Sequence, residues 1–218
     1  MIQIKTFYFN DLRTCCYLLW DQSLEAIIVD PGCHSAGEKE RLRKYVAQEG
    51  LHLKYVVNTH AHFDHIMGNA FVCAQWGIKA CIHPADRRML EQADQYVRAF
   101  NMEIEKPPVD TLPLCEQQPL CFGDSNIRVL ETPGHSPGGI CLYAPQDGFL
   151  ISGDTLFAGS IGRTDLPGGD FDQLMHSITT KLLPLDSSLR VLPGHGPETT
   201  IGHERLHNPF LAPNPGRF

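Results

Sequence analysis

Two successive runs of strand-like sequence, each followed by helical sequence, predict an α/β fold. Two mixed sheets pack face to face with helices on their outer surfaces, a four-layer αββα sandwich. Three observations carry this expectation: short apolar stretches bounded by Gly, Pro, Asn or Asp, helical periodicity between them, and no internal repeat of 20 to 50 residues that would mark a solenoid. A chain of 218 residues with 42% hydrophobic content is long enough for one substantial core, so residues 1–218 are expected to form a single domain.

The elements follow in order. Ile2 to Phe9, Thr14 to Trp20 and Glu25 to Val29 read as three strands, separated by the turn residues Asn10-Asp11 and Asp21-Gln22-Ser23. Ser35 to Gln48 reads as an amphipathic helix stopped by Gly50. Lys54 to Val57 forms a buried strand, Ile66 to Trp76 has helical spacing, and Lys79 to Ile82 is a strand before Pro84, where another helix begins. Gln92 to Glu116, with Pro107-Pro108 and Pro113, is the least regular region and is expected to be a helical segment and loop over the mouth of the site. Strands then dominate at Ile127 to Glu131, Ile140 to Tyr143 and Phe149 to Ser152, followed by a helix over Phe171 to Leu183 and a last strand at Arg190 to Leu192.

Composition excludes several classes. Charged residues make up 20% of the chain and mean hydropathy is −0.19, which argues for a folded globule. No apolar run approaches the roughly 20 residues of a membrane helix. A formal charge of −7 and a pI near 5.8 disfavour nucleic acid, whose phosphates need a basic face. The amino end opens directly into strand-like sequence with no basic patch and apolar block, and no Cys-x-x-Cys spacing occurs among the eight cysteines. Reduced, buried thiols in a cytoplasmic protein are the expectation.

Chemistry concentrates between Thr59 and His65. Thr-His-Ala-His-Phe-Asp-His places His60, His62, Asp64 and His65 within six residues, directly after the apolar run Tyr55 to Val57. Imidazole nitrogen and carboxylate oxygen are ligands for zinc and similar metals, and no packed core accommodates four such groups unpaired. In extended backbone His60 and His62 point the same way, while Asp64 and His65 must share a bend that turns them inward, which can feed two metal positions. Three further loops each present one such group: His135 in Thr-Pro-Gly-His-Ser-Pro-Gly-Gly, Asp154 in Ser-Gly-Asp-Thr-Leu-Phe and His195 in Pro-Gly-His-Gly-Pro. Each follows a short apolar stretch and is framed by glycine or proline, which lets the backbone turn at a strand end. The remaining histidines (His34, His52, His83, His176, His203 and His207) lack partners at ligand spacing and read as surface or structural residues.

The His-x-His-x-Asp-His-x-x-Gly run from His60 to Gly68, then His135, Asp154 and His195 in that order, resembles the metallo-β-lactamase superfamily of metal-dependent hydrolases. Asp30-Pro31-Gly32 matches that family's opening turn. The nearer likeness is to short, single-domain bacterial type II glyoxalases, through Gly153 to Phe157, Gly162-Arg163-Thr164-Asp165, Pro193 to Pro197 and the tail Glu204 to Phe210. The resemblance implies the αββα fold and two divalent metal ions, zinc first, with iron or manganese as alternatives. His60, His62 and His135 would hold one ion, Asp64, His65 and His195 the other, and Asp154 would bridge both.

Such a site activates a water near neutral pH and suits a small-molecule thioester such as S-lactoylglutathione, with Asp64 orienting the water and moving its proton. Arg163 stands where longer relatives have a glutathione-binding Lys, and its guanidinium fork can grip a carboxylate. Pro197 replaces a glutathione-contacting Tyr, and the carboxy-terminal helical domain of the longer enzymes has no counterpart in the 23 residues after His195. The rival within the superfamily is an iron persulfide dioxygenase, using His62, His135 and Asp154 on one Fe(II). Gly196-Pro197 and the Asn208-Pro209-Phe210 tail favour the hydrolases. True β-lactamase activity is disfavoured by Asp154, where the best-known lactamases carry Cys or another residue. Metals that merely staple the fold form the non-enzymatic alternative, weakened because seven ligands exceed one closed tetrahedral site.

Overall fold

The computed structural model describes residues 1–98 and 103–211. The first sheet has the order β1 (Gln3–Phe9), β2 (Thr14–Trp20), β3 (Glu25–Val29), β4 (His52–Val57), β5 (Lys79–Ile82) and β6 (Leu112–Pro113). Its first three strands are antiparallel, and β3 to β6 run parallel. The parallel steps need crossovers. α1 (Ala36–Gln48) supplies one, and the pair α2 (Phe63–Ile66) and α3 (Asn69–Trp76) another. Ser35 caps α1 in a reciprocal capping box with Glu38, which explains its sharp start.

After a 3-10 turn at Pro84–Asp86 come α4 (Arg87–Glu91) and α5 (Ala93–Arg98). The second sheet contains β7 (Leu120–Phe122), β8 (Ser125–Glu131), β9 (Ile140–Ala144) and β10 (Phe149–Gly153), with a small hairpin of β11 (Leu156–Phe157) and β12 (Ser160–Ile161) beyond it. α6 (Phe171–Ser177) continues into a π turn at Ile178–Leu182, then β13 (Arg190–Pro193), β14 (Thr199–Thr200) and α7 (Ile201–His207) complete the described chain. The sheet order is β14-β13-β10-β9-β8-β7, with β10 and β13 parallel.

Three apolar clusters account for the four layers. The central one interleaves Cys15, Tyr17, Leu19, Ile27, Val29 and Val57 with Ile127, Val129, Leu142, Phe149 and Ile151, joining the inner faces of the two sheets. Cys16, Leu18 and Trp20 point the other way, toward Leu42 and Val46 of α1 and Val72 of α3. This is why β2 is buried at every position: its two faces serve two different cores. Leu150, Cys141 and Val191 pack outward against Leu174 and the π turn. All eight cysteines are free thiols, and six are buried.

Several expectations need adjustment. Asp64 and His65 lie in α2 rather than in a bend, and the expected helix Ile66 to Trp76 is broken between Ile66 and Asn69. Gly68 donates its N–H to the Pro31 carbonyl at 2.7 Å, and a Cβ there would meet Cys33 Sγ at 2.5 Å, so this close crossing dictates glycine and interrupts the helix. In the irregular region, Ala93 of α5 packs with Leu90, Ala61 and Ile66 beside the histidine-rich loop, and Pro113 joins the first sheet as an edge residue. Residues 99–102 of that region lie outside the described residues.

Candidate metal centre

All four ligand-bearing loops leave the carboxyl ends of strands: β4 for His60 to His65, β8 for His135, β10 for Asp154 and β13 for His195. One of these strands lies in the first sheet and three lie in the second, so the site spans one rim of the sandwich. The Thr59 carbonyl accepts from Ile140 N–H at 2.9 Å, stitching the first loop to the second sheet. Beneath it, the buried amides of Asn58 and Asn69 bond each other at 2.8 Å and hold α3 against the loop.

Two triads result. His60, His62 and His135 offer ligand atoms within 4.8 Å of one another, and so do Asp64, His65 and His195. Asp154 stands between them. Its Oδ2 is 3.5 Å from His135 Nε2, 3.6 Å from His195 Nε2 and 4.0 Å from His60 Nε2, while Oδ1 is 3.4 Å from His65 Nε2. All seven residues expected to bind metal are thus brought together.

The orientation of each ring follows from its far nitrogen. His135 Nδ1 donates to the Arg163 carbonyl at 2.7 Å and His195 Nδ1 to the Leu12 carbonyl at 3.1 Å. His65 Nδ1 lies 3.0 Å from Asp30 Oδ2. Thr59 Oγ1 donates to Asp30 at 2.6 Å, so it accepts from His60 Nδ1 at 3.1 Å. Each of these four rings therefore directs the lone pair of Nε2 into the pocket. His62 instead presents Nδ1, 2.8 Å from His135 Nε2. Among the described residues, the buried atoms His60 Nε2 and Asp154 Oδ1 have no hydrogen-bond partner. Leaving such atoms unpaired is costly, and a cation between the triads satisfies both.

Charge agrees with that fit. Burial raises the Asp64 carboxyl, but the adjacent His65, with hydrogen bonds from His195 and Thr14, outweighs it and holds the acid well below its ordinary range. Asp154 is likewise lowered against its burial, chiefly by His65. Burial lowers His65, yet Asp64, Asp154 and Asp30 together drive it well above the ordinary imidazole value. Burial and the crowd of imidazoles keep His60 neutral, and the same causes bring His62 down to about 4. The pocket stabilises positive charge at His65 while leaving the nitrogen lone pairs of His60 and His62 available. These donors, mixed nitrogen and oxygen around a shared carboxylate, fit a pair of divalent ions.

Arg163 is the residue expected to grip a substrate carboxylate. Its guanidinium is exposed and pairs with Asp165 through two bonds of 2.7 Å, while its carbonyl orients His135. Sequence reasoning passed over the orienting groups Asp30, Thr14, Thr59 and the Leu12 carbonyl. Asp30 carried a signal: an acid closing a strand before Pro-Gly, held here at φ 48° with its carboxylate bonded to Thr59 and His65. His195 is the most open ligand, with 29% of its side chain exposed, and the Phe157 ring lies 6.4 Å from its ring.

Comparison with known proteins agrees with this geometry. The chain is 37% identical to hydroxyacylglutathione hydrolase GloC of Haemophilus influenzae over 90% of its own length and 92% of the relative's. The crystal structure of BLEG-1, described as a B3 metallo-β-lactamase, superposes with a TM-score of 0.88 at 39% identity, covering 97% of this chain and all of that one. The structure of TTHA1623 in a di-iron-bound form gives a TM-score of 0.87 at 38% identity, covering 95% of this chain and all of the other. The profile of the metallo-β-lactamase superfamily matches residues 10–195, and with its ligand loops in place the chain belongs to that superfamily.

Proposed function

We propose that this metallo-hydrolase cleaves a small thioester, with S-lactoylglutathione as its reference substrate, and that the two triads and Asp154 bind two divalent ions. The observation that carries the reading is the placement of the Asp154 carboxylate within 3.4–4.0 Å of four inward imidazole nitrogens. A pair of ions held there supplies Lewis-acid polarisation of a carbonyl and a water with its pKa lowered toward about 7. Zinc is the first candidate; the di-iron form of TTHA1623 keeps iron beside it, and the same donors accept manganese.

The chain's own residues do the rest. His60, His62 and His135 hold one position, Asp64, His65 and His195 the other, and Asp154 is shared. Asp64, its Oδ2 fixed by Thr14 at 2.7 Å, orients the water and takes up its proton. The leaving sulfur needs no proton donor, because a thiol with a pKa near about 8.5 departs as thiolate. Phe157, with its ring 6.4 Å from that of His195, offers an apolar face beside the site for the substrate's uncharged part. Arg163 exchanges Asp165 for a substrate carboxylate, a swap between two bidentate partners at the surface.

GloC's name supports the thioester, and BLEG-1 makes a β-lactam the second substrate to assay. Elemental analysis of purified protein, with S-lactoylglutathione hydrolysis followed optically, tests the reading. Two metal equivalents and thioester cleavage are expected. Oxygen uptake on glutathione persulfide, or turnover of a cephalosporin alone, would overturn it. Asp64→Ala should abolish turnover while the melting temperature holds; unchanged turnover would reduce the metals to a staple.

A further inference from the structure

We propose that Asp86, which belongs to neither triad, is a positioning residue that sets metal affinity at the His60–His62–His135 position and leaves the Asp64–His65–His195 position untouched. The inference rests on the two-metal reading. Asp86 lies in the 3-10 turn after β5 and is fully buried. Its Oδ2 accepts the Ala61 N–H at 2.9 Å and the Ser136 hydroxyl at 2.8 Å, and its Oδ1 accepts the Gly138 N–H at 2.6 Å. Ala61 lies between His60 and His62, and Ser136 directly follows His135. One carboxylate therefore ties together the two loops that supply all three imidazoles of one position.

The fit is tight on both sides. A Cβ on Gly138 would stand 2.8 Å from Asp86 Cγ, so the His135 loop can approach the acid only through glycine. The other position is supported elsewhere: Asp30 holds His65, Thr14 holds Asp64 and the Leu12 carbonyl holds His195. Among the described residues, the hydrogen bonds of the Asp86 carboxylate go to Ala61, Ser136 and Gly138 and to none of these. An asparagine at 86 keeps the volume but turns an amide N–H toward a backbone N–H, so one of three loop bonds becomes a repulsive contact. Losing an orienting partner of this kind typically weakens metal binding by about 10- to 100-fold.

The test isolates each position. In a His195→Ala background the first position remains, and in a His62→Ala background the second remains. Zinc affinity is read by competition with a chromophoric chelator on each metal-free protein. Adding Asp86→Asn should weaken zinc by about 10- to 100-fold in the first background and by less than about twofold in the second. Ser136→Ala, which deletes a single bond, should show the same selectivity at smaller amplitude and serves where Asp86→Asn does not fold. Equal weakening in both backgrounds, or none in either, overturns the proposal. Failure of the wild type to bind two zinc ions would instead sink the two-metal reading itself.

Discussion

Gly194 precedes His195 at the end of β13, and replacing it with alanine attacks the centre without substituting a ligand. A Cβ built there falls onto Asp154 Oδ1 and stands 2.8 Å from His65 Cε1, against the 3.4 Å where ordinary contact begins. The His65 ring must therefore retreat by about 0.6 Å, and the shared carboxylate further. The ring has no free direction, because Asp30 holds its far nitrogen at 3.0 Å. Backbone bonds at Gly194, from Cys15 N–H to its carbonyl at 2.7 Å and from its own N–H to Gly153 at 2.8 Å, need no glycine and survive. The damage should thus fall on geometry rather than on folding. A misplacement approaching 1 Å costs about 100-fold in rate, or about 2.7 kcal/mol of barrier. Steady-state hydrolysis of S-lactoylglutathione, paired with metal content and thermal melting, reads the three quantities separately. A Gly194→Ala enzyme with wild-type turnover and two bound ions would refute the packing described around Asp154.

Asp30→Asn keeps a residue that tolerates the left-handed backbone at φ 48° while removing the charge on His65 and Thr59, so titrated metal affinity should fall by about 10- to 100-fold; an unchanged isotherm would remove Asp30 from the support of the site. Asp21 joins the turn after β2 to the turn before β8 by accepting from Ser23, Asp124 and Ser125; burial raises its carboxyl, and these bonds override that and bring it to about 2. Because the folded value lies below the ordinary one, its stabilisation is complete above about pH 4 and disappears as pH falls toward 2. Asp21→Asn should cost about 1–3 kcal/mol at pH 7, and the gap to wild type in denaturant titrations should close between pH 4 and 2; a gap independent of pH would contradict this. Glu204, fully buried in α7, accepts from Gly159 N–H at 2.9 Å, Thr199 Oγ1 at 2.6 Å and Asn208 Nδ2 at 2.8 Å. Glu204→Gln should destabilise by about 2 kcal/mol and speed hydrogen exchange at the Gly159 amide, whereas wild-type exchange there would show that α7 does not clamp the β11–β12 hairpin.

What the sequence by itself determined was local. The apolar run of β2, the capped start of α1 and the His60 to His65 run are written in adjacent residues, because strand propensity, helix capping and ligand type each act over a few positions. The strand-end glycines and prolines also marked where His135, Asp154 and His195 would turn. Tertiary structure decided the rest. β6, β11, β12 and β14 span two residues each and exist only through their partners, so no periodicity announces them. The break before α3 depends on Pro31, far along the chain, crossing Gly68. Ring orientation at the site comes from the carbonyls of Leu12 and Arg163 and from Asp30 and Asp86, groups any residue can supply or that look ordinary in sequence. Donor identity is a property of side chains, but aiming a lone pair requires a neighbour that only folding brings within about 3 Å.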